Sequence, residues 1–209
     1  MTSDPAFEAS SKAKRQAESG NPVGAAETLE NYLSTDPHNI KLRLQLAQLH
    51  LYKLDSYDYG MMQLDIILDL DPDCVDALIA QVTVLSKYKK NNKESNEKFK
   101  RLLELAPSAD MYNMYARFLR NQIIDFHGAA EYYEKAIAMD PGRYEFHQNY
   151  AVLLLNDLKD YEKARSELEI MLDMRPGDVM AKNNYDKLLR TKFDKNGNVK
   201  KKRLAFLRR

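Results

Sequence analysis

The sequence predicts an all-α fold, a solenoid of antiparallel helix hairpins, on three observations. Pro37, Pro72, Pro107, Pro141 and Pro176 recur at separations of 35, 35, 34 and 35 residues, each closing an apolar stretch and preceding another helical pattern; a fixed period of this size marks one supersecondary unit stacked on itself. In a 34-residue frame with proline at position 32, position 20 is small in every unit: Ala25, Gly60, Ser95, Ala129 and Ala164. A small residue is needed where the two helices of a hairpin cross closely. Position 24 (Leu29, Leu64, Phe99, Tyr133, Leu168) and position 27 (Tyr32, Ile67, Leu102, Ala136, Met171) lie one helical turn from each other and from position 20, so they form one apolar stripe along the second helix.

The units fall near residues 6–39, 41–74, 76–109, 110–143 and 145–178. Within them the turn between the helices is written as Gly20-Asn21-Pro22, then Asp55-Ser56, Asn91-Asn92, Asp125 and Asp160, residues suited to turns and helix N-caps. The second helix stops at Asp-Pro or its equivalent, because proline lacks an N–H and disfavours helix in the residue before it. Each helix is then roughly 14 residues, about 21 Å long. The third unit is the loosest, its turn being the polar run Lys89 to Lys93. After the fifth unit, residues 178–190 read as a capping helix that covers the last apolar face. The expected organisation is one helical array over 1–190, with one continuous core, and a basic tail over 191–209.

Composition fits a folded chain, with 44% hydrophobic and 30% charged residues in 209. The apolar run Tyr150 to Leu155 is far too short to span a bilayer. The opening Met-Thr-Ser-Asp-Pro lacks a signal-peptide core, and the lone Cys74 has no partner for an internal disulfide. These features lead to the expectation of a reducing, cytoplasmic location, or a nuclear one in a eukaryotic cell. The net charge of +1 is uneven: residues 190–209 carry nine Lys or Arg against Asp194, a net +8, which leaves the first 189 residues at −7.

The period, the small-residue column and the pairs Tyr57/Gly60, Phe126/Ala129 and Tyr161/Ala164 at positions 17 and 20 resemble the tetratricopeptide repeat family over about residues 6–190. Departures from the family pattern are Ala9, Leu44, Ile79, Asn113 and Gln148 at position 4, and Gln48, Thr83, Arg117 and Val152 at position 8. The resemblance implies a right-handed superhelix whose first helices line a concave groove through positions 2, 5, 9, 12 and 13. Carried over position by position, that implies a groove with Leu42, Leu49, Tyr52, Val84, Tyr88, Met111, Met114, Phe118, Phe146, Asn149 and Leu153, alongside Phe7. The carboxylate clamp by which some relatives hold chaperone tails is not carried by three successive repeats, so a chaperone-tail receptor is disfavoured.

The residues support an apolar groove independently. The first helices of the second and fifth units are apolar around most of their circumference, and such helices are buried on more than one side. Methionines at 111 and 114 suit a tolerant binding surface. Two alternatives stand beside a partner groove. The stripes are core, since a frame error of one residue turns a helical position by about 100°, or the chain's own Leu204, Phe206 and Leu207 cover them.

No catalytic or metal-binding pattern is legible. His38, His50, His127 and His147 fall at different frame positions, Cys74 has no spacing partner, and no glycine-rich phosphate loop is present. Asp194 to Asn198 faintly resembles a calcium loop, but its glycine is misplaced and no closing Glu follows, so it reads as a turn. The expected function is a non-enzymatic adaptor, without cofactor or membrane insertion, that binds a peptide or helix of another protein. The alternative is a nucleic-acid- or ribonucleoprotein-associated factor acting through Lys200, Lys201, Lys202 and Arg203.

Overall fold

Asparagine, aspartate and serine caps start most helices of the chain, and they fall where the sequence places its turns. The computed structural model describes residues 4–89 and 91–200, with backbone only for 88 and 89. Helices α1 (Pro5–Glu18) and α2 (Pro22–Leu33) make the first hairpin, α3 (Ile40–Tyr52) and α4 (Tyr57–Leu70) the second, and α5 (Val75–Val84) and α6 (Asn92–Leu105) the third. Then come α7 (Ala109–Phe118) with α8 (Phe126–Met139), α9 (Tyr144–Leu153) with α10 (Tyr161–Met174), and the final helix α11 (Val179–Lys192). Asn21 accepts from the Gly24 N–H at 2.9 Å, Asp125 from Gly128 at 2.9 Å and Asp160 from Lys163 at 3.1 Å. Each satisfies an amide that the first turn of a helix leaves without a partner.

The chain divides into two compact units, Met1–Ala106 and Pro107–Arg209, where the sequence leads one to expect a single array. In the first, one apolar cluster gathers Ala13, Ala25, Ala26, Leu29, Leu33, Leu42 and Leu46, and a second gathers Ala47, Leu51, Leu64, Ile67, Ala77 and Val84. The small-residue column and the stripe beside it are buried in both units: Ala25, Ser95, Ala129 and Ala164 are closed off, as are Leu29, Leu64, Phe99, Tyr133 and Leu168. Gly60 shows why the column is small. A Cβ built there would stand 2.6 Å from Leu51 Cγ and 3.2 Å from the Ala47 carbonyl, well inside van der Waals contact.

The turn between helices differs between the first hairpin and those that follow. In the first, the Asn21 N–H closes it by bonding the Gln16 carbonyl, five residues back, at 2.8 Å. In the next three, Ser56 bonds His50, Asn91 bonds Leu85 and Asp125 bonds Leu119, six residues back, at 2.9–3.2 Å. In the third, fourth and fifth hairpins the last turn of the first helix is widened into a π turn, at Leu85–Lys89, Leu119–Ile123 and Leu154–Leu158, the usual way in which a helix absorbs an insertion. The residue that reverses the chain then has positive φ: Gly20 at 84°, Asp55 at 51°, Ile124 at 63° and Lys159 at 59°.

This insertion corrects the frame for the first helices. Counting back from proline overshoots by one residue beyond the turn, so the small column of the first helix is Ala13, Ala47, Val82, Ala116 and Ala151, all of them buried. Gln48, Thr83, Arg117 and Val152, which looked like departures from the family pattern, are the residues next to it.

Candidate functional site

Each first helix turns one face into its hairpin and leaves another open, and the corrected frame decides which side chains are on the open face. Leu42, Val84, Phe118, Phe146 and Leu153, expected in a partner groove, are at most 4% exposed and belong to the core. Their reassignment follows from the rotation of about 100° that one extra residue imposes. Tyr88 has its side chain outside the described residues. Met111, Met114 and Asn149 are half-buried on α7 and α9, and Asn149 donates through Nδ2 to Asn113 Oδ1 at 3.0 Å.

In the second unit the exposed residues of the first helices are mostly polar, Asp110, Arg117 and Asn121 on α7 and its π turn and Glu145, Gln148 and Asn156 on α9 and its own, with Ile123 exposed beside them. Arg120 and Asp157 pair there at 2.6 Å, and Arg117 reaches Glu145 at 4.0 Å. The face of these helices therefore combines the half-buried Met111 and Met114 with ion-paired polar side chains.

In the first unit an apolar-floored groove does exist. A cavity of about 360 Å³ lies between α1 and α3, lined by Ala13, Ala17 and Leu29 at its floor and by Lys14, Glu18, Gln45, Gln48, Leu49, Tyr52 and Lys53 around them. Two residues named from the sequence, Leu49 and Tyr52, meet here, and Tyr52 is 49% exposed. Gln45 spans the first helices by donating to Ser10 Oγ at 2.8 Å, which fixes their spacing.

Two further sets of polar contacts emerge that the uncorrected frame concealed. Within hairpins, the fourth residue of α3, α7 and α9 faces a residue twenty positions on. Arg43 donates to Gln63 and to the Pro37 carbonyl, the rings of Tyr112 and Tyr132 lie 5.9 Å apart, and His147 bonds Glu167 at 2.7 Å and the Pro141 carbonyl at 3.0 Å. Between hairpins, a carboxylate on the second helix accepts from the following first helix sixteen residues on: Asp65 from Gln81 at 2.6 Å, Glu134 from Tyr150 at 2.5 Å and Glu169 from Tyr185 at 2.8 Å. Burial and the Glu134 bond push the Tyr150 phenol well above its ordinary range, while Tyr150 and Lys163 hold Glu134 below its own.

Among the described residues no group of three His, Cys, Asp or Glu is placed to hold a metal ion, and no helix is long and apolar enough to cross a membrane. Residues 194–198 form a turn, with Asp194 Oδ1 accepting from the amides of Asn196 and Asn198 at 2.8 and 3.0 Å and Gly197 at φ 79°. It returns Val199 to pair with the buried Phe193, and Lys200 Nζ donates to the Arg190 carbonyl at 2.8 Å. Lys201, Lys202 and Arg203, and with them Leu204, Phe206 and Leu207, lie outside the described residues.

Repeated hairpins with a small crossing residue, a proline exit and an open face on the first helix define a helical-repeat scaffold. Residues 125–184 match the tetratricopeptide repeat in sequence, and solved structures of tetratricopeptide repeat proteins share the fold of the chain. MamA from Desulfovibrio magneticus RS-1 superposes with a TM-score of 0.73 at 18% identity, covering 86% of this chain and 99% of its own. A tetratricopeptide repeat protein from Parabacteroides merdae ATCC 43184 does so at 0.74 and 13% identity, over 88% and 72%. YrrB, described as a tetratricopeptide repeat protein with an unusual peptide-binding site, does so at 0.65 and 18% identity, over 79% and 84%. No curated protein matches the chain in sequence.

Proposed function

We propose that the protein is a non-enzymatic adaptor that holds a segment of another protein against its first unit, in the groove between α1 and α3. The supporting observation is the meeting of Leu49 and Tyr52 over the apolar floor of Ala13, Ala17 and Leu29. Apolar side chains there stand ready to be buried, and each fully buried one contributes about 1.5 to 3 kcal/mol. Gln45, Gln48, Lys14 and Lys53 supply hydrogen-bonding groups around the rim, the mix of apolar anchors and few polar contacts typical of peptide recognition. The peptide-binding description of YrrB agrees with this reading by fold alone.

A photo-crosslinking residue placed at Tyr52 in cells tests the proposal, with the exposed Val23 of α2 as control site. Discrete protein adducts are expected from position 52, and they should vanish when Leu49→Asp is added, in a variant whose circular dichroism shows that it remains folded. Equal adduct patterns from the two positions, or adducts indifferent to Leu49→Asp, would end it.

A further inference from the structure

Arg43 is 9% exposed and so is its partner Gln63 nearly enclosed, at 3%. The guanidinium donates to the Gln63 carbonyl oxygen and the Pro37 carbonyl, both uncharged, while its Nε has no hydrogen-bond partner. Among the described residues no carboxylate lies within 4.0 Å of it. The same structural position in the fifth repeat carries a different solution, because His147 has the carboxylate of Glu167 where Arg43 has Gln63. A buried cation without a counter-charge is costly to the fold, and this one lines a cavity of about 400 Å³ shared with Ser34, Tyr59, Gln63 and Glu30.

Glu30 makes the cavity selective. Its carboxylate accepts from Tyr59 OH at 3.0 Å and stands 3.9 Å from His50 Nε2, on a wall beyond ion-pairing distance from Arg43. An anion entering to meet the guanidinium therefore also meets one fixed negative charge. That repulsion grows with the ligand's charge, whereas the planar fork of arginine matches a carboxylate in shape.

We infer that the Arg43 cavity is a second binding site, distinct from the α1–α3 groove, and that it takes a single carboxylate monoanion as the counter-charge missing from this repeat. The carboxylate is either a free small acid or an acidic side chain of a bound protein.

The test is an NMR titration of the full chain that follows the arginine Nε–Hε resonance lost in Arg43→Lys. Sodium acetate, N-acetyl-aspartyl amide and inorganic phosphate replace chloride at constant ionic strength. Saturable movement of that resonance is expected with the carboxylates and weaker movement with phosphate; acetate alone marks a free acid, and the capped aspartate a side chain. Gln63→Glu, which installs the counter-charge, should weaken acetate binding at least about tenfold, and Glu30→Gln should tighten it by about fivefold. A resonance that does not saturate in the wild type, affinity unaltered by Gln63→Glu, or no tightening in Glu30→Gln overturns the assignment.

Discussion

Ser95 occupies the crossing position where Ala25, Ala129 and Ala164 serve in other repeats, and its hydroxyl is buried with no hydrogen-bond partner. A buried hydroxyl without a bond costs about 1 to 3 kcal/mol. Ser95→Ala is thus expected to stabilise the first unit by about 1 kcal/mol, read as a higher urea midpoint at unchanged slope. Phe118 runs the other way. Proposed from sequence as an exposed anchor, it is 4% exposed, so Phe118→Asp buries an unpaired charge and should destabilise the second unit by about 3 to 5 kcal/mol, visible as lost cooperative melting. The two cases also separate what a sequence reveals about a residue. Ser95 lies on a second helix, measured back from a proline through uninterrupted helix, and its place is legible. Phe118 lies beyond the turn, where one unannounced residue changes its side of the helix.

At the scale of the element, the wide turn is the feature that counting from the prolines does not locate, since it occurs at Leu119–Ile123 where the spacing is 34 as well as at Leu85–Lys89 and Leu154–Leu158 where it is 35. Its reversing residue has positive φ, and Ile124 adopts that conformation with a β-branched side chain, which is strained by roughly 1 to 2 kcal/mol in the left-handed region. Gly20 performs the same reversal without that strain. Ile124→Asn should raise stability by about 1 kcal/mol, measured by denaturant unfolding. The hydrogen bonds between hairpins make a pH prediction. Tyr150 and Lys163 hold Glu134 below its ordinary value of 4.5, so the unfolded chain takes up that proton at higher pH than the folded chain does. The stability this carboxylate contributes is complete above pH 4.5 and lost as pH falls through the lower folded value. Tyr150→Phe should therefore flatten the acid limb of the unfolding curve, measured by denaturant titration between neutral pH and acid.

For the whole molecule, the fold class, the repeat number and most caps were legible because they depend on local residues: prolines, capping side chains and a small crossing column. The division at Ala106 and Pro107 was not. Fragments 1–106 and 107–209 are each expected to melt cooperatively on their own, checked by circular dichroism; an unfolded fragment would show that the two halves depend on each other. The α1–α3 groove was legible only in part. Leu49 and Tyr52 were found by analogy, while its floor of Ala13 and Ala17 gives no signal apart from ordinary helix packing.

The one-residue widening after each later first helix also sets a rule for anyone splicing modules into this protein. A cassette taken from another array keeps the faces of its first helix in place only if that helix ends in the same widened turn, as at Leu119–Ile123. Without it, the grafted helix would be turned by about 100°, carrying part of its interior face toward water, although every residue in the transplant was right.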